Sequence, residues 1–159
     1  KITGVIYTAR DAAHKRMLEN LHKGIALPVD LKDQTIYFAG PAPAKPNEPI
    51  GSVGPTTSYR MDAYSPETIE LGLTCIIGKG ARSIEVVDAM KKYGAVYIGA
   101  VGGAGALISQ CVKKCEVVDY ADLGSEAIHR LEVVDFPGIV IIDSEGNNLY
   151  ETEPPKYKK

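Results

Sequence analysis

The stretch GPTTSYRMD, residues 54–62, places two threonine hydroxyls, a phenol, a guanidinium and a carboxylate close together. It follows a segment rich in proline and glycine, and each proline removes a backbone donor and fixes φ. A loop this long and stiff is more typical of a functional segment than of a simple connection. Since a guanidinium fork pairs well with a carboxylate, Arg60 is a candidate for binding a small acid.

Two further cations follow predicted strands. Lys79 lies between two glycines directly after an apolar run, and Arg10 follows the first strand with Asp11 and His14 beside it. Open α/β sheets commonly bind ligands where strands end, so Arg10, Arg60 and Lys79 could hold both ends of a small dicarboxylate. The alternative is that each is an ordinary solvated or salt-bridged cation, and that His14 is a surface or supporting histidine.

The strands and helices that would position these residues alternate along the chain. Strands are predicted at residues 3–9, 34–40, 73–78, 95–101, 115–120, 131–136 and 138–151, the last as a hairpin around 145–147. Helices are predicted at residues 10–24, 66–72, 84–94 and 104–114, with a short helix or turn at 122–130. Ser65 and Ser83 are the expected N-caps of two helices, and Gly94 is the expected end of one. This alternation is typical of an α/β fold.

The composition is that of a soluble globular domain, and it excludes some partners. A chain of 159 residues that is 45% hydrophobic and 24% charged is ordinary for one folded domain. A net charge of −2 provides no broad positive surface for nucleic acid or an anionic membrane. No run of about 20 apolar residues predicts a membrane span. We therefore expect any anion site to be built locally, by clustered cations.

The three cysteines do not form a known metal motif. Cys75 lies in an apolar run, where a buried thiol is expected. Cys111 and Cys115 are spaced to share one helix face, but a metal site needs more ligands and no histidine lies near them in the sequence. An odd number of cysteines favours reduced thiols in the cytoplasm.

The segment VGGAGAL, residues 101–107, offers a different function. It joins a predicted strand to a predicted helix and resembles part of a dinucleotide-binding turn. The spacing departs from that motif, because Ile108 stands where the third glycine belongs and no acidic residue follows in a clear βαβ unit. A stand-alone nucleotide- or metabolite-binding module is therefore one alternative. A tight turn that serves packing, or a carboxylate-binding helix end, is another.

Five motifs, in order, resemble one family across nearly the whole chain. They are YTARDAAHKR, GPTTSYRMD, IGKG, VGGAGAL and DFPGIVIIDSEGNNLY. The sequence is similar to the C-terminal domain of class I iron–sulfur fumarases, and to the separate β subunit of two-chain fumarate hydratases and L-tartrate dehydratases. The resemblance implies an α/β domain, a three-layer swivelling β/β/α domain at residues 1–151, followed by a flexible tail at 152–159.

The resemblance also implies a function and a partner. The chain would be the β subunit of a hydro-lyase that reversibly hydrates fumarate to L-malate, or of an L-tartrate dehydratase or a related enzyme. Such enzymes use a four-iron, four-sulfur (4Fe-4S) cluster, whose open iron binds the substrate hydroxyl as a Lewis acid. A larger α subunit, and not this chain, would hold the cluster in a cytoplasmic hetero-oligomer that is active only when both chains are present.

By motif position, the resemblance assigns Arg10, Arg60 and Lys79 to the substrate carboxylates and puts His14 in or beside the site. The prolines would then hold Arg60 and Thr56 at a fixed separation, because reactive geometry tolerates little slack.

The resemblance also assigns roles to the two threonines. Thr56 would be the base that removes a proton from the substrate, which requires positive charge around its hydroxyl. Thr57 would orient Thr56 or begin the following helix. Tyr59 departs from the small residue expected before the arginine, so we expect it to affect pocket width or the choice of substrate.

Overall fold

The computed structural model describes residues 1–158, which form one mixed β-sheet flanked by helices. The strands are β1 (Ile2–Thr8), β2 (Thr35–Tyr37), β3 (Cys75–Gly78), β4 (Val96–Gly99), β5 (Val112–Asp119), β6 (Ile128–Phe136) and β7 (Ile139–Ile142). The helices are α1 (Asp11–His22), α2 (Ser65–Glu70), α3 (Ile84–Tyr93), α4 (Gly105–Ser109) and α5 (Leu149–Thr152), and 3₁₀ turns cover Ser58–Met61, Ala121–Glu126 and Pro154–Tyr157. The predicted α/β class is confirmed.

The sheet brings the ends of its central strands to one edge. Its seven strands lie in the order β5, β6, β1, β2, β3, β4, β7. Strands β1 to β4 run parallel to one another, β6 and β7 are antiparallel to the central strands they pair with, and β5 is antiparallel to β6. Because β1 to β4 run in the same direction, their carboxyl ends lie at one edge of the sheet, and the loops after these four strands all begin there.

Residues at β2 alternate between two apolar clusters, one on each face of the sheet. Ile36 and Phe38 belong to the cluster that contains the buried sides of α1, α2 and α3. Tyr37 and Ala39 belong to the cluster that contains apolar residues of α4, of β5 and of the proline-rich segment, residues 41–55. This period of two is expected of a strand that is buried on both faces.

The proline-rich segment is anchored to the sheet. Val53 is buried, and the phenol of Tyr37 donates a hydrogen bond to the Val53 carbonyl at 2.7 Å. The Ala42 amide donates to the Ser52 carbonyl at 2.9 Å, which closes the segment on itself. The segment therefore holds the residues that follow it in a fixed position relative to the sheet.

The helix predicted at residues 104–114 is wrong beyond its first turns. Helix α4 ends at Ser109, and Val112 begins the edge strand β5, which pairs with β6. The β-branched residues of VKKCEVVD favour a strand, and in this strand Val112 is buried. Cys111 and Cys115 therefore do not share a helix face.

The hairpin predicted at residues 138–151 is confirmed at its turn, and its second strand is wrong. Strand β7 ends at Ile142, and Asn148 then caps helix α5 by accepting a hydrogen bond from the Tyr150 amide at 3.1 Å. A bridge between Ile142 and Asn148 stands where a second strand was expected. The helix or turn predicted at 122–130 divides into a 3₁₀ turn and the start of β6.

Helix ends follow the predictions in part. Ser83 caps α3 through its Oγ, and Gly94 ends that helix with φ of 78°, both as predicted. Ser65 is instead the first residue inside α2, and its Oγ donates to the Met61 carbonyl at 2.9 Å. Within residues 1–158, no helix is long and apolar enough to cross a bilayer.

Candidate functional site

The segment that contains Thr56 and Thr57 is bonded to two neighbouring strands of the sheet. The Thr56 amide donates to the Phe38 carbonyl at 2.7 Å, just beyond the end of β2. Thr57 forms a β-bridge with Lys79, just beyond the end of β3. The structure therefore brings Thr56, Thr57 and Lys79 together at the edge where the parallel strands end.

The backbone of Lys79 is fixed, whereas its side chain is partly exposed. The Ser58 amide donates to the Lys79 carbonyl at 2.9 Å, and the Lys79 amide donates to Ser58 Oγ at 3.0 Å. The side chain extends over the glycine-rich turn, which is the segment VGGAGAL at residues 101–107. A Cβ added to Gly102 would lie 3.4 Å from Lys79 Nζ. Glycine at this position leaves room for the ammonium group.

Arg60 reaches the same edge from a 3₁₀ turn. Ser58 and Met61 face the core, as expected for residues that are one 3₁₀ turn apart. Arg60 faces outward, with 46% of its side chain exposed. Its Nε donates to Asp11 Oδ1 at 2.9 Å.

Arg10 lies on the other side of Asp11. It is the N-cap residue of α1, and its side chain packs on Gly40, where an added Cβ would lie 3.0 Å from Arg10 Nη1. Arg10 Nε lies 4.0 Å from Asp11 Oδ2 and 3.7 Å from Glu126 Oε1. Asp11 therefore stands between Arg10 and Arg60, the two guanidinium groups expected to bind a dicarboxylate.

His14 is fully buried beneath Arg10. Its Nδ1 donates to the Arg10 carbonyl at 2.8 Å, which leaves Nε2 without a proton in the neutral ring. The ring packs edge-on against Phe38 and stacks on Tyr64. Burial lowers the pKa of His14 to about 4, so the ring is neutral near pH 7. His14 therefore lies beside the site, in contact with the Arg10 backbone, and is not exposed.

Arg82 supports the site, and the sequence reasoning missed it. Its side chain is fully buried, its Nε donates to Asp62 Oδ1 at 2.7 Å, and its Nη2 donates to Ser65 Oγ at 2.6 Å. Asp62 Oδ2 accepts a further bond, at 2.7 Å, from the amide of Ser83, the N-cap residue of α3. These bonds join the turn that carries Arg60 to the segment after the GKG motif. The available signal was in the sequence, because Asp62 is the last residue of GPTTSYRMD and Arg82 follows IGKG by two residues.

The glycine-rich turn has a packing role. The Val53 amide donates to the Gly105 carbonyl at 3.1 Å, and a Cβ added to Gly105 would lie 2.8 Å from the Gly54 nitrogen. Helix α4 has five residues, so its dipole is small. Glycine in this turn therefore lets α4 approach the proline-rich segment closely, as the packing alternative predicted.

The cysteines do not provide a metal site. Among residues 1–158, no group of three or more His, Cys, Asp or Glu side chains could hold a metal ion. Cys75, Cys111 and Cys115 are unpaired and partly buried, and burial raises the pKa of the Cys75 and Cys115 thiols. A protonated thiol is a poor metal ligand, so the described residues do not fit an iron–sulfur cluster.

Comparison with known protein families decides the relationship. The family described as Fumarase C-terminus matches residues 1–153. The chain belongs to this family. The matched range of the fumarase domain includes Arg10, Thr56, Arg60 and Lys79.

Relatives of this fumarase domain include both long and short proteins. It is 41% identical over 152 residues to the aerobic class I fumarate hydratase of Salmonella typhimurium, covering 94% of this chain and 26% of the relative. It is 42% identical over 156 residues to the mitochondrial fumarate hydratase 1 of Leishmania major, covering 94% and 28%. It is 44% identical over 156 residues to a Methanocaldococcus jannaschii protein provisionally named L(+)-tartrate dehydratase subunit beta, covering 94% and 80%. The chain thus spans about a quarter of the fumarate hydratases.

Proposed function

We propose that this domain is the β subunit of a hydro-lyase that interconverts fumarate and L-malate. The observation that carries the proposal is the pair of guanidinium groups, Arg10 and Arg60, on either side of Asp11 at the sheet edge that also presents Lys79 and Thr56. Family membership and the names of the fumarate hydratases support the same reaction.

Each site residue has a role in the proposed reaction. Arg10, Arg60 and Lys79 donate hydrogen bonds to the two substrate carboxylates and offset their charge. In the dehydration direction, Thr56 Oγ1 takes the proton from the carbon next to the one that carries the hydroxyl, and the C–H electron pair forms the double bond. The C–O bond breaks at the same time, and the hydroxyl leaves with its electron pair, for which the cluster of the partner chain would act as the Lewis acid. The neighbouring cations favour the ionised threonine that this step needs, and Thr57 orients Thr56.

An α subunit that carries the 4Fe-4S cluster completes the enzyme in this proposal. The described residues of this chain offer no ligand set for the cluster. A cavity of about 620 Å³ lies between the proline-rich segment and α4, lined by residues such as Pro49, Ser52 and Lys113 and not by the site cations. The site is thus outside this cavity, and a second chain that covers the sheet edge would enclose it.

A second candidate reaction is the dehydration of L-tartrate or a related hydroxy-dicarboxylate. It is favoured by the Methanocaldococcus jannaschii protein provisionally named a tartrate dehydratase subunit, of which the matched region covers 80%. Tyr59 is 65% exposed beside Arg60, so its phenol is accessible to a substrate group that fumarate lacks.

We also propose a cytoplasmic location, and a domain at residues 1–151 with a flexible tail at 152–159. Unpaired thiols favour a reducing compartment. The family match ends at residue 153. The 3₁₀ turn Pro154–Tyr157 is exposed, and Lys159 lies outside the described residues.

Co-expression with an iron–sulfur partner chain tests the proposed function. We expect a brown, oxygen-sensitive complex that hydrates fumarate, and no turnover by the isolated chain. The substrate panel is fumarate, malate, tartrate and mesaconate. Turnover of tartrate alone would select the second candidate. Tight binding of a nucleotide by the isolated chain, with no turnover by the complex, would contradict both.

A further inference from the structure

The geometry points to Asp11 as a positioning residue that sets the spacing and orientation of the two guanidinium groups. This inference rests on the proposed function, because Arg10 and Arg60 are the carboxylate-binding residues of that reaction. Asp11 is the first residue of α1, and 30% of its side chain is exposed. It is therefore held by a regular helix at a fixed place in the sheet edge.

Nε is the atom of each arginine that lies within 4.0 Å of Asp11, and only Arg60 forms a hydrogen bond with it. Arg60 Nε donates to Asp11 Oδ1 at 2.9 Å, and Arg10 Nε lies 4.0 Å from Asp11 Oδ2. A guanidinium has two further nitrogens, Nη1 and Nη2, that point away from the side-chain stem. An arginine that faces Asp11 through Nε keeps both of these nitrogens for a two-bond contact with a substrate carboxylate.

Asp11 forms a hydrogen bond with Arg60 but none with Arg10. Arg10 Nε and Asp11 Oδ2 are buried, and neither has a hydrogen-bond partner among the residues that the structure describes. Glu126 Oε1 lies 3.7 Å from Arg10 Nε while it accepts a long bond, 3.5 Å, from the Ala12 amide. Buried polar atoms without partners are unfavourable. A hydrogen bond between Arg10 Nε and Asp11 Oδ2 would therefore be favourable.

Asp11 also reduces the positive charge of the site. Arg10, Arg60 and Lys79 are cationic, whereas Asp11 and Glu126 are anionic. Removing the Asp11 charge strengthens the attraction for a dianion but lets the guanidinium groups take other orientations. A positioning role therefore predicts that kcat and KM both fall. A purely structural role would lower the active fraction and leave KM unchanged.

The kinetic test uses the assembled enzyme and fumarate hydration. Asp11→Ala is expected to lower kcat by about 10- to 100-fold, the size expected when reacting groups are misplaced, with KM lower than in the wild type. Asp11→Asn is expected to lose less, because its amide oxygen can still accept from Arg60 Nε. Glu19→Gln is the matched control, since it removes one negative charge from α1 at a residue that pairs with Lys15 at 3.9 Å. It is expected to behave as the wild type.

A crystal structure of the Asp11→Ala enzyme separates this inference from the proposed function. We expect the Arg60 guanidinium to leave its place. A guanidinium that keeps its place would overturn the positioning role whatever the activity, and so would an unchanged kcat or a raised KM with kcat retained. If the wild-type complex turns over none of the dicarboxylates, the proposed function fails, and the position of Arg60 in the variant still decides whether Asp11 orients it.

Discussion

Lys79 and Arg82 belong to one short segment, and the fold gives them opposite environments. Arg82 is fully buried against Asp62, with its guanidinium 5.3 Å from the Phe38 ring centroid and 5.1 Å from that of Tyr97. Breaking a buried ion pair by removing one partner costs about 3–5 kcal/mol, so Arg82 supports folding. The side chain of Lys79 is partly exposed at the site and is free to meet a ligand.

Lys79→Ala is therefore expected to impair catalysis and not assembly. A hydrogen bond to a charged group contributes about 1.5–3 kcal/mol, which corresponds to a loss of about 10- to 100-fold in kcat/KM. The measurement is steady-state hydration of fumarate by the assembled enzyme, with gel filtration to check the complex. Lys15→Ala, on the exposed side of α1, is the control. Wild-type kcat/KM in Lys79→Ala would remove this residue from the substrate site.

At the level of elements, the position of the site depends on backbone-to-backbone packing of the glycine-rich turn on the proline-rich segment. The two elements share the hydrogen bond from the Val53 amide to the Gly105 carbonyl. Gly54 faces Gly105 and directly precedes the Pro55–Thr56 pair. A change in this contact therefore moves the threonine that is proposed to act as the base.

Gly105→Ala tests that contact. The added Cβ would lie 2.8 Å from the Gly54 nitrogen, and overpacking of this kind costs about 1–3 kcal/mol. The matched control is Gly54→Ala, whose Cβ would lie 3.5 Å from Gly105 Cα, an ordinary contact. Urea unfolding should show a loss of stability in Gly105→Ala that is clearly larger than in Gly54→Ala. Equal losses would mean that the turn adjusts freely.

The sequence predicted those elements whose signals are local. Helix α3 has an apolar stripe, a serine cap and a terminal glycine, and it forms as expected. The helix predicted through Cys111 failed because pairing with β6 outweighed local helix spacing. The second strand of the C-terminal hairpin failed because Asn148 caps a helix. In the site, motifs identified the cations, but the Thr57–Lys79 bridge depends on contacts between distant segments. No local pattern contains that information.

At the level of the whole molecule, one buried histidine connects the site to the stability of the fold. His14 packs in the core under Arg10, and burial lowers its pKa to about 4 from the ordinary value of 6.5. Between these values the unfolded chain binds a proton that the folded chain does not. Stability is therefore fully present above pH 6.5 and is lost as the pH falls towards 4, by roughly 1.4 kcal/mol per pH unit.

His14→Gln is expected to flatten this pH dependence. The measurement is the free energy of unfolding in urea at several pH values between 7.5 and 4.5, and the slope is compared because the substitution can also change stability at neutral pH. His22→Gln is the control, since His22 is exposed and pairs with Glu67. Carboxylates that titrate in the same range affect both variants. Identical slopes in His14→Gln and the wild type would show that His14 is not the group responsible.

The phenol under the proline-rich segment has a further consequence at the opposite end of the pH scale. Tyr37 is fully buried, and its hydroxyl donates a hydrogen bond to the Val53 carbonyl. Burial raises the pKa of Tyr37. In alkaline solution the unfolded chain gives up this proton before the folded chain does, so stability falls as the pH rises above about 10. Tyr37, which anchors the proline-rich segment, therefore limits the alkaline range in which Thr56 and Arg60 keep their relative positions.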